Sequence, residues 1–470
     1  MRMEMKNDPG IKLTIILILA AVLRFLGLSV KQLWLDEILQ VLHSRPDTIR
    51  GILEAVTQDR GGAPLDYFIQ HVFITHLSGP VEWTARLHAA IFGVLAVWLV
   101  YLVCRELFAS QRMALMSALL FCFYPFHHHY SQEGRPYSLF ILLTLILYLI
   151  LFRSLKKNSW LIWISFAVVA ILGFYTNAFT AAVLFAQFVF LIYYQIYRRE
   201  SWTDSWRRYT CFISCSIIAA AAYLPWLLYS FSNAQGTKGD EPEFGFRLIS
   251  GTIKEFGDGS YPLSLVLIIG ASAGIISLLQ TQRRFELGTL LIWIIAPLPV
   301  VFTVLWWRTY FFIPRQIIFI TPAFFILVAA GIECFKQKFS RRYFYVPEAS
   351  IILISLVVIA LHYPARWDDR DDLRAVGQFL KESARPGDLI IAPDRTGILA
   401  FYFPDIEQYA ADTRSALDLM RTVPAGSRII YTAPKFNPDT DRLKILLAGM
   451  RTADEVKFQG ITVYFLQKPL

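Results

Sequence analysis

Asp36 and Glu37 stand side by side in Trp34-Leu35-Asp36-Glu37, just beyond an apolar run at 11–30. That position sets them at the edge of a bilayer, where an acidic pair is costly unless it has work to do. A carboxylate there could act as general base on a hydroxyl or help to hold a divalent cation. The structural alternative is a helix N-terminus or a solvated loop, where acids are common.

Three further stretches carry groups of this kind. Arg60-Gly61-Gly62-Ala63-Pro64-Leu65-Asp66-Tyr67 reads as a turn followed by a helix, with Asp66 either a site residue or a cap. Tyr124-Pro125-Phe126-His127-His128-His129-Tyr130-Ser131-Gln132-Glu133-Gly134-Arg135-Pro136-Tyr137 packs three histidines, Glu133 and Arg135 into one link. Consecutive histidines cannot all face one metal from a regular helix, so a site made of histidine alone is disfavoured. Arg135 suits a bidentate grip on a phosphate; the alternatives are snorkelling or pairing with Glu133. Arg308 and Arg315 flank Thr309-Tyr310-Phe311-Phe312-Ile313-Pro314. No Walker loop, dinucleotide-type glycine fingerprint or Gly-x-Ser-x-Gly elbow stands in a fitting context.

The elements that must position these residues are membrane helices. The chain has 470 residues, 56% hydrophobic and 17% charged, with a mean hydropathy of +0.47. That composition belongs to a polytopic membrane protein. Runs long enough to cross about 30 Å of hydrocarbon recur at 11–30, 87–107, 113–129, 137–155, 160–175, 178–197, 210–230, 261–280, 286–306, 315–335 and 346–363, about eleven crossings. The fifth and sixth, separated only by Tyr175-Thr176-Asn177, could instead form a re-entrant hairpin. The formal charge of +9 comes from Lys and Arg clustered in short links, which is topology signalling and not a nucleic-acid stripe. Those clusters alternate sides, placing the N-terminus in the cytoplasm and the C-terminus outside. The 31–86 loop, the 127–136 link, the 306–314 link and the tail then share the outer face. Arg308 and Arg315 lie where the charge bias does not want cations, which invites an anionic ligand. A site on that face lacks cytoplasmic nucleotide sugars and ATP, so its donor should arrive in the membrane. The five cysteines show no metal-ligand pairing and no disulfide framework.

After Pro364 the composition turns polar. Residues 373–383 have helical spacing, Pro386-Gly387-Asp388 is a turn, and 389–392, 427–432 and 461–465 read as strands, giving a small α/β domain with some parallel pairing. The expected division is 1–363 for the membrane domain, including the 31–86 loop, and 364–470 for the C-terminal domain. No internal repeat is present, which weakens a transporter built from duplicated halves.

Leu33-Trp34-Leu35-Asp36-Glu37, Tyr130-Ser131-Gln132-Glu133-Gly134-Arg135-Pro136-Tyr137, and Arg315 followed by Pro322 make the chain resemble a large bacterial family of integral-membrane glycosyltransferases. That family is related to protein O-mannosyltransferases and to the transferases that put aminoarabinose on lipid A. The resemblance implies the GT-C fold: an all-α polytopic membrane domain with a small α/β extracytoplasmic domain, in a bacterial inner membrane. It implies hexosyl or pentosyl transfer from a polyprenyl-phosphate sugar to a hydroxyl of a lipid, glycan or protein, commonly with inversion. It implies Asp36 as catalytic base with Glu37 in support, and Arg135 and Arg315 on the lipid phosphate. Glu133, Tyr137, Arg308, Asp66 and Tyr67 join the substrate-binding candidates. No cofactor is implied with certainty; Asp36 and His128 are the candidates for a divalent cation. Relatives often show His-Pro-Pro-Leu-Tyr-Tyr where this chain has Gly62-Ala63-Pro64-Leu65-Asp66-Tyr67, so Asp66 is a candidate to take over part of the missing histidine's role. The alternative from another class is a flippase of lipid-linked sugars without chemistry.

Overall fold

The computed structural model describes residues 8–59, 62–233, 246–307, 312–338, 345–368, 372–391, 401–402, 424–434 and 450–468. Pro9–Phe25 (α1) opens the chain. Asp8 caps it by accepting the Gly10 amide at 2.7 Å, and Pro9 stands at a position whose missing N–H no helix would use. Three short helices follow: Leu35–Ser44 (α2), Ile49–Val56 (α3) and Pro64–His76 (α4). The apolar helices then begin with Val81–Phe108 (α5), Gln111–Cys122 (α6), Pro125–Ser131 (α7), Tyr137–Lys156 (α8), Trp160–Thr176 (α9), Thr180–Arg198 (α10) and Trp202–Asn233 (α11). Phe246–Phe256 (α12), Tyr261–Gln280 (α13), Arg284–Ile295 (α14), Pro297–Trp307 (α15), a 3-10 turn at Pro314–Ile320, Thr321–Lys338 (α16) and Val346–Asp368 (α17) complete the series.

Each apolar run is helical, but several are broken. The 113–129 run splits into α6 and α7 because Pro125 donates no N–H and holds Tyr124 in the extended region. Pro297, which donates no N–H, marks the break between α14 and α15, although Ala296 before it keeps a helical conformation. Among the described residues seven stretches are long and apolar enough to cross a membrane, and Gln111–Cys122, Trp160–Thr176 and Val346–Leu361 are shorter apolar helices. Helices α9 and α10 touch each other but differ in their main neighbours, α9 packing chiefly on α8 and α11, α10 chiefly on α14 and α15. Ile18, Ile217, Leu228 and Leu265 are all more than half exposed. Such side chains are stable against lipid and not against water. The chain is a multi-pass membrane protein.

Helices α13 and α16 approach most closely through glycine. A Cβ on Gly274 would lie 2.0 Å from the Leu327 carbonyl oxygen, and one on Gly331 would lie 2.1 Å from that of Gly270. Small residues four apart let backbones meet in a membrane, where burying apolar area against lipid tails gives no driving force. Cys104, Cys122, Cys211 and Cys215 are free thiols.

Contacts divide the chain into one unit of Met1–Leu28 with Gln40–Ala360 and another of Ser29–Leu39 with Leu361–Leu470. In the second, helix Leu373–Ser383 (α18) matches the spacing read from the sequence. Strands Leu389–Ile391 (β1), Arg428–Pro434 (β2), Arg451–Lys457 (β3) and Ile461–Gln467 (β4) form one sheet in the order β1-β2-β4-β3. The β1–β2 pair is parallel, Ile390 opposite Ile430, and the other two pairs are antiparallel. Strand β3 was not expected: Arg-Thr-Ala-Asp-Glu-Val-Lys has no apolar alternation because it is an edge strand, its residues largely exposed.

Candidate functional site

Arg135, a candidate to grip a phosphate or to pair with Glu133, meets a residue that sequence reasoning passed over. Its Nη1 lies 3.0 Å from Asp59 Oδ2, and the Tyr67 hydroxyl donates to the same oxygen. The His43 ring stands 6.4 Å from that of Tyr67. Local structure brings these together. Asp59 sits in a turn after α3, its carbonyl accepting the Gly62 amide at 2.9 Å. A Cβ at Gly62 would press on the Asp59 carbonyl and Val56 at 3.1 and 3.2 Å. Pro64 then starts α4, which places Tyr67 one turn in. Burial alone would push the Asp59 carboxyl upward, but the Arg135 charge and the Tyr67 and Arg135 hydrogen bonds outweigh it and hold it below the usual carboxylate range. Burial, then the Asp59 charge, drives the Tyr67 phenol well up, and burial pushes His43 down. Nothing in the sequence pairs Asp59 with Arg135; an aspartate two residues before a glycine pair is an ordinary turn signal.

The second expected arginine converges on the same helix end. Arg315 opens the 3-10 turn, and its guanidinium lies 5.7 Å from the centre of the Tyr137 ring. Tyr137 is the first residue of α8 and Arg135 precedes it by two, so the backbone of one arginine and the guanidinium of the other lie near the N-terminal end of one helix. Amide N–H groups and the helix dipole there favour an anion, and planar guanidinium groups match a phosphate. Tyr137 is held by Tyr130 at 4.9 Å, which packs edge-on to Phe126 at 4.8 Å.

The histidine-rich link is a clamp and not a cluster. His127 Nδ1 faces Arg24 Nη2 at 2.8 Å, His128 Nε2 meets the Leu23 carbonyl at 2.9 Å, and His129 Nε2 meets Glu133 Oε1 at 2.8 Å. Gln132 Nε2 donates to the carbonyls of Leu23, Arg24 and Leu26 at 3.2, 3.2 and 2.8 Å. The link thus satisfies carbonyls at the C-terminal end of α1 that no helix can satisfy internally. Among the described residues no group of three or more His, Cys, Asp or Glu could hold a metal ion.

Asp66 is fully buried. Its Oδ2 accepts from Gln40 Nε2 at 2.6 Å and faces His88 Nε2 at 3.4 Å. Beside it Ser44 donates to Gln70 Oε1 at 3.0 Å, and Gln70 Nε2 donates to the Ala85 carbonyl at 3.0 Å. This polar seam ties α2 and α4 to α5. Asp36 and Glu37 occupy the first turn of α2, where negative charge is favoured. Glu37 Oε2 accepts the Trp34 amide at 3.3 Å, closing the turn that leads into the helix. Along α2, Gln40 and His43 follow Asp36 by one and two turns. Arg60, Gly61 and Arg308 lie outside the described residues.

The architecture matches known proteins. Over 96% of this chain and 97% of the other, it superposes with TM-score 0.62 on the crystal structure of ArnT from Cupriavidus metallidurans bound to undecaprenyl phosphate, at 13% identity. This chain has the GT-C fold. The same fold relates it to the oligosaccharyltransferase AglB of Archaeoglobus fulgidus in complex with an inhibitory peptide and a dolichol-phosphate, with TM-score 0.53 at 12% identity over 91% of this chain and 69% of that one. Residues 62–229 match the family model described as dolichyl-phosphate-mannose-protein mannosyltransferase. That stretch of the GT-C fold runs from Gly62 through the Asp66, Tyr67, Arg135 and Tyr137 positions to α11. No match was found among curated protein sequences.

Proposed function

We propose that the chain is a glycosyltransferase that moves a sugar from a polyprenyl-phosphate carrier to a hydroxyl of a lipid, glycan or protein on the extracytoplasmic face of a bacterial inner membrane. The observation that carries this reading is the pair Arg135 and Arg315 at the N-terminal end of α8, within a fold shared with a protein solved with undecaprenyl phosphate. The acceptor oxygen attacks the anomeric carbon, its proton passes to Asp36, and the bond from that carbon to the phosphate oxygen breaks with inversion. The polyprenyl phosphate leaves with a charge that the two guanidinium groups are placed in advance to neutralise. Glu37, through its bond to the Trp34 amide, steadies the turn that carries Asp36. Glu133 supports the link from behind through His129. The buried Asp66 steadies α2 through Gln40. The alternating Lys and Arg clusters support a cytoplasmic N-terminus.

Purified protein in liposomes, supplied with an extracted pool of undecaprenyl-phosphate sugars and envelope lipids, should yield a glycosylated product by mass spectrometry. Asp36→Asn should abolish transfer while insertion and thermal unfolding stay as in the wild type. Near-normal transfer by that variant would remove Asp36 from the chemistry. No product from the wild type, with lipid-linked sugar crossing the bilayer, would leave a flippase.

A further inference from the structure

The segment that carries Asp36 is built into the C-terminal unit, although it lies more than three hundred residues away in sequence. Two hydrogen bonds among the described residues take part in the junction. The Arg374 amide donates to Gln32 Oε1 at 3.0 Å, and the Leu33 amide donates to the Tyr402 hydroxyl at 3.0 Å. Each meets a need of the backbone. Arg374 is the second residue of α18, whose N-cap Asp372 accepts the Ala375 amide on its side chain at 3.0 Å and the Val376 amide on its carbonyl at 3.1 Å. The Arg374 N–H is one of the donors a helix cannot satisfy internally, and Gln32 satisfies it. Leu33 is fully buried, so its amide needs a partner, which Tyr402 provides. Tyr402 is itself seated: a Cβ on Gly377 would lie 3.0 Å from the Tyr402 Cβ, Phe401 packs edge-on at 5.0 Å, and the Arg374 guanidinium lies 5.8 Å from its ring centre. With Glu37 closing on the Trp34 amide, residues 32, 33 and 34 are tied one after another just before the helix turn that presents Asp36.

We propose that the C-terminal α/β unit is the mount of the catalytic carboxylate, with Tyr402 and Gln32 as positioning residues that set the entry of α2 and so the aim of Asp36. This rests on Asp36 being the base. The unit therefore acts on the chemical step of transfer, not on capture of the lipid donor. An error of about 1 Å in placing a catalytic group can cost on the order of a hundredfold in rate, so loss of either tie should be read in turnover.

Full-length variants in liposomes are assayed with the extracted undecaprenyl-phosphate sugar pool, giving apparent kcat and donor KM. Tyr402→Phe keeps the ring and its packing but removes the acceptor; it should lower kcat five- to fiftyfold with donor KM within twofold of wild type. Gln32→Leu should do the same, and Gln32→Glu, whose carboxylate still accepts the Arg374 amide, should recover most of the rate. Hydrogen exchange of the peptide covering residues 30–40 should rise at least tenfold in Tyr402→Phe and Gln32→Leu, and stay near wild type in Gln32→Glu. Unchanged kcat and exchange in Tyr402→Phe and Gln32→Leu would overturn the proposal, as would a loss confined to KM or a Gln32→Glu variant no better than Gln32→Leu. If Asp36→Asn retains transfer, the base assignment fails by itself; if it abolishes transfer while Tyr402→Phe and Gln32→Leu do not slow it, only the mounting role fails.

Discussion

Replacing Arg135 by Met would leave Asp59 as a carboxylate with the Tyr67 hydroxyl on Oδ2 and no guanidinium. The Arg135 and Asp59 side chains are 13% and 18% exposed, so most of the desolvation of both charges is already incurred in the folded state. Breaking one side of such a pair costs about 3–5 kcal/mol when fully buried; residual exposure sets the expectation at the low end, about 3 kcal/mol. Asp59→Asn, which keeps an oxygen to accept from Tyr67, should cost about 1–2 kcal/mol. The double variant should be milder than the sum by about 1.5–3 kcal/mol, because neither charge is then left alone. In detergent micelles this is read from unfolding rates by intrinsic fluorescence, with about 3 kcal/mol appearing as up to a hundredfold faster unfolding. The pH dependence has a fixed sign. Asp59 is held below its unfolded value, so its contribution is complete above the ordinary aspartate range near 3.9 and is lost as pH falls through the lower folded value. The gap between wild type and Arg135→Met should be constant from about pH 5 to 8 and shrink below about pH 4. Additive single costs, or a gap that widens on acidification, would refute the pairing as the source of the effect.

Two further predictions concern the scaffold. Gly274→Ala puts a Cβ 2.0 Å from the Leu327 carbonyl oxygen, so α13 and α16 must part by about 1.4 Å to restore ordinary contact, at a cost of about 1–3 kcal/mol. Gly251→Ala, with nothing within 4 Å of the new Cβ, is the control, and equal melting temperatures for the two would refute the close approach. Gln132→Leu removes the donor to three carbonyls at the end of α1 and should lower the melting temperature, by about 1–3 kcal/mol of stability. Gln132→Glu should be no better, since a carboxylate cannot donate, and a wild-type melt for that variant would refute the capping role.

What could be read in the sequence was whatever depends on local pattern. Apolar runs of spanning length became helices, while the breaks at Pro125 and Pro297, inside runs expected to be continuous at 113–129 and 286–306, were not read from hydropathy although proline chemistry accounts for them. The helix at Leu373–Ser383 and strands β1, β2 and β4 carry an apolar periodicity that a chain shows before it folds. Strand β3 carries none, because an exposed edge needs no buried face.

Sequence alone determined a mostly helical multi-pass membrane protein, with carboxylates at 36 and 37 and arginines at 135 and 315 in short links. It determined these because hydropathy, charge and backbone restriction are properties of a few neighbouring residues. Only the tertiary structure decided that Arg135 meets Asp59, that three adjacent histidines have three separate partners, and that Asp66 lies buried against Gln40 and His88. It likewise decided that the segment before Asp36 is held by Arg374 and Tyr402. A buried polar atom must find a partner wherever the packed chain provides one, and that partner is chosen by distance in space, which no spacing along the chain encodes.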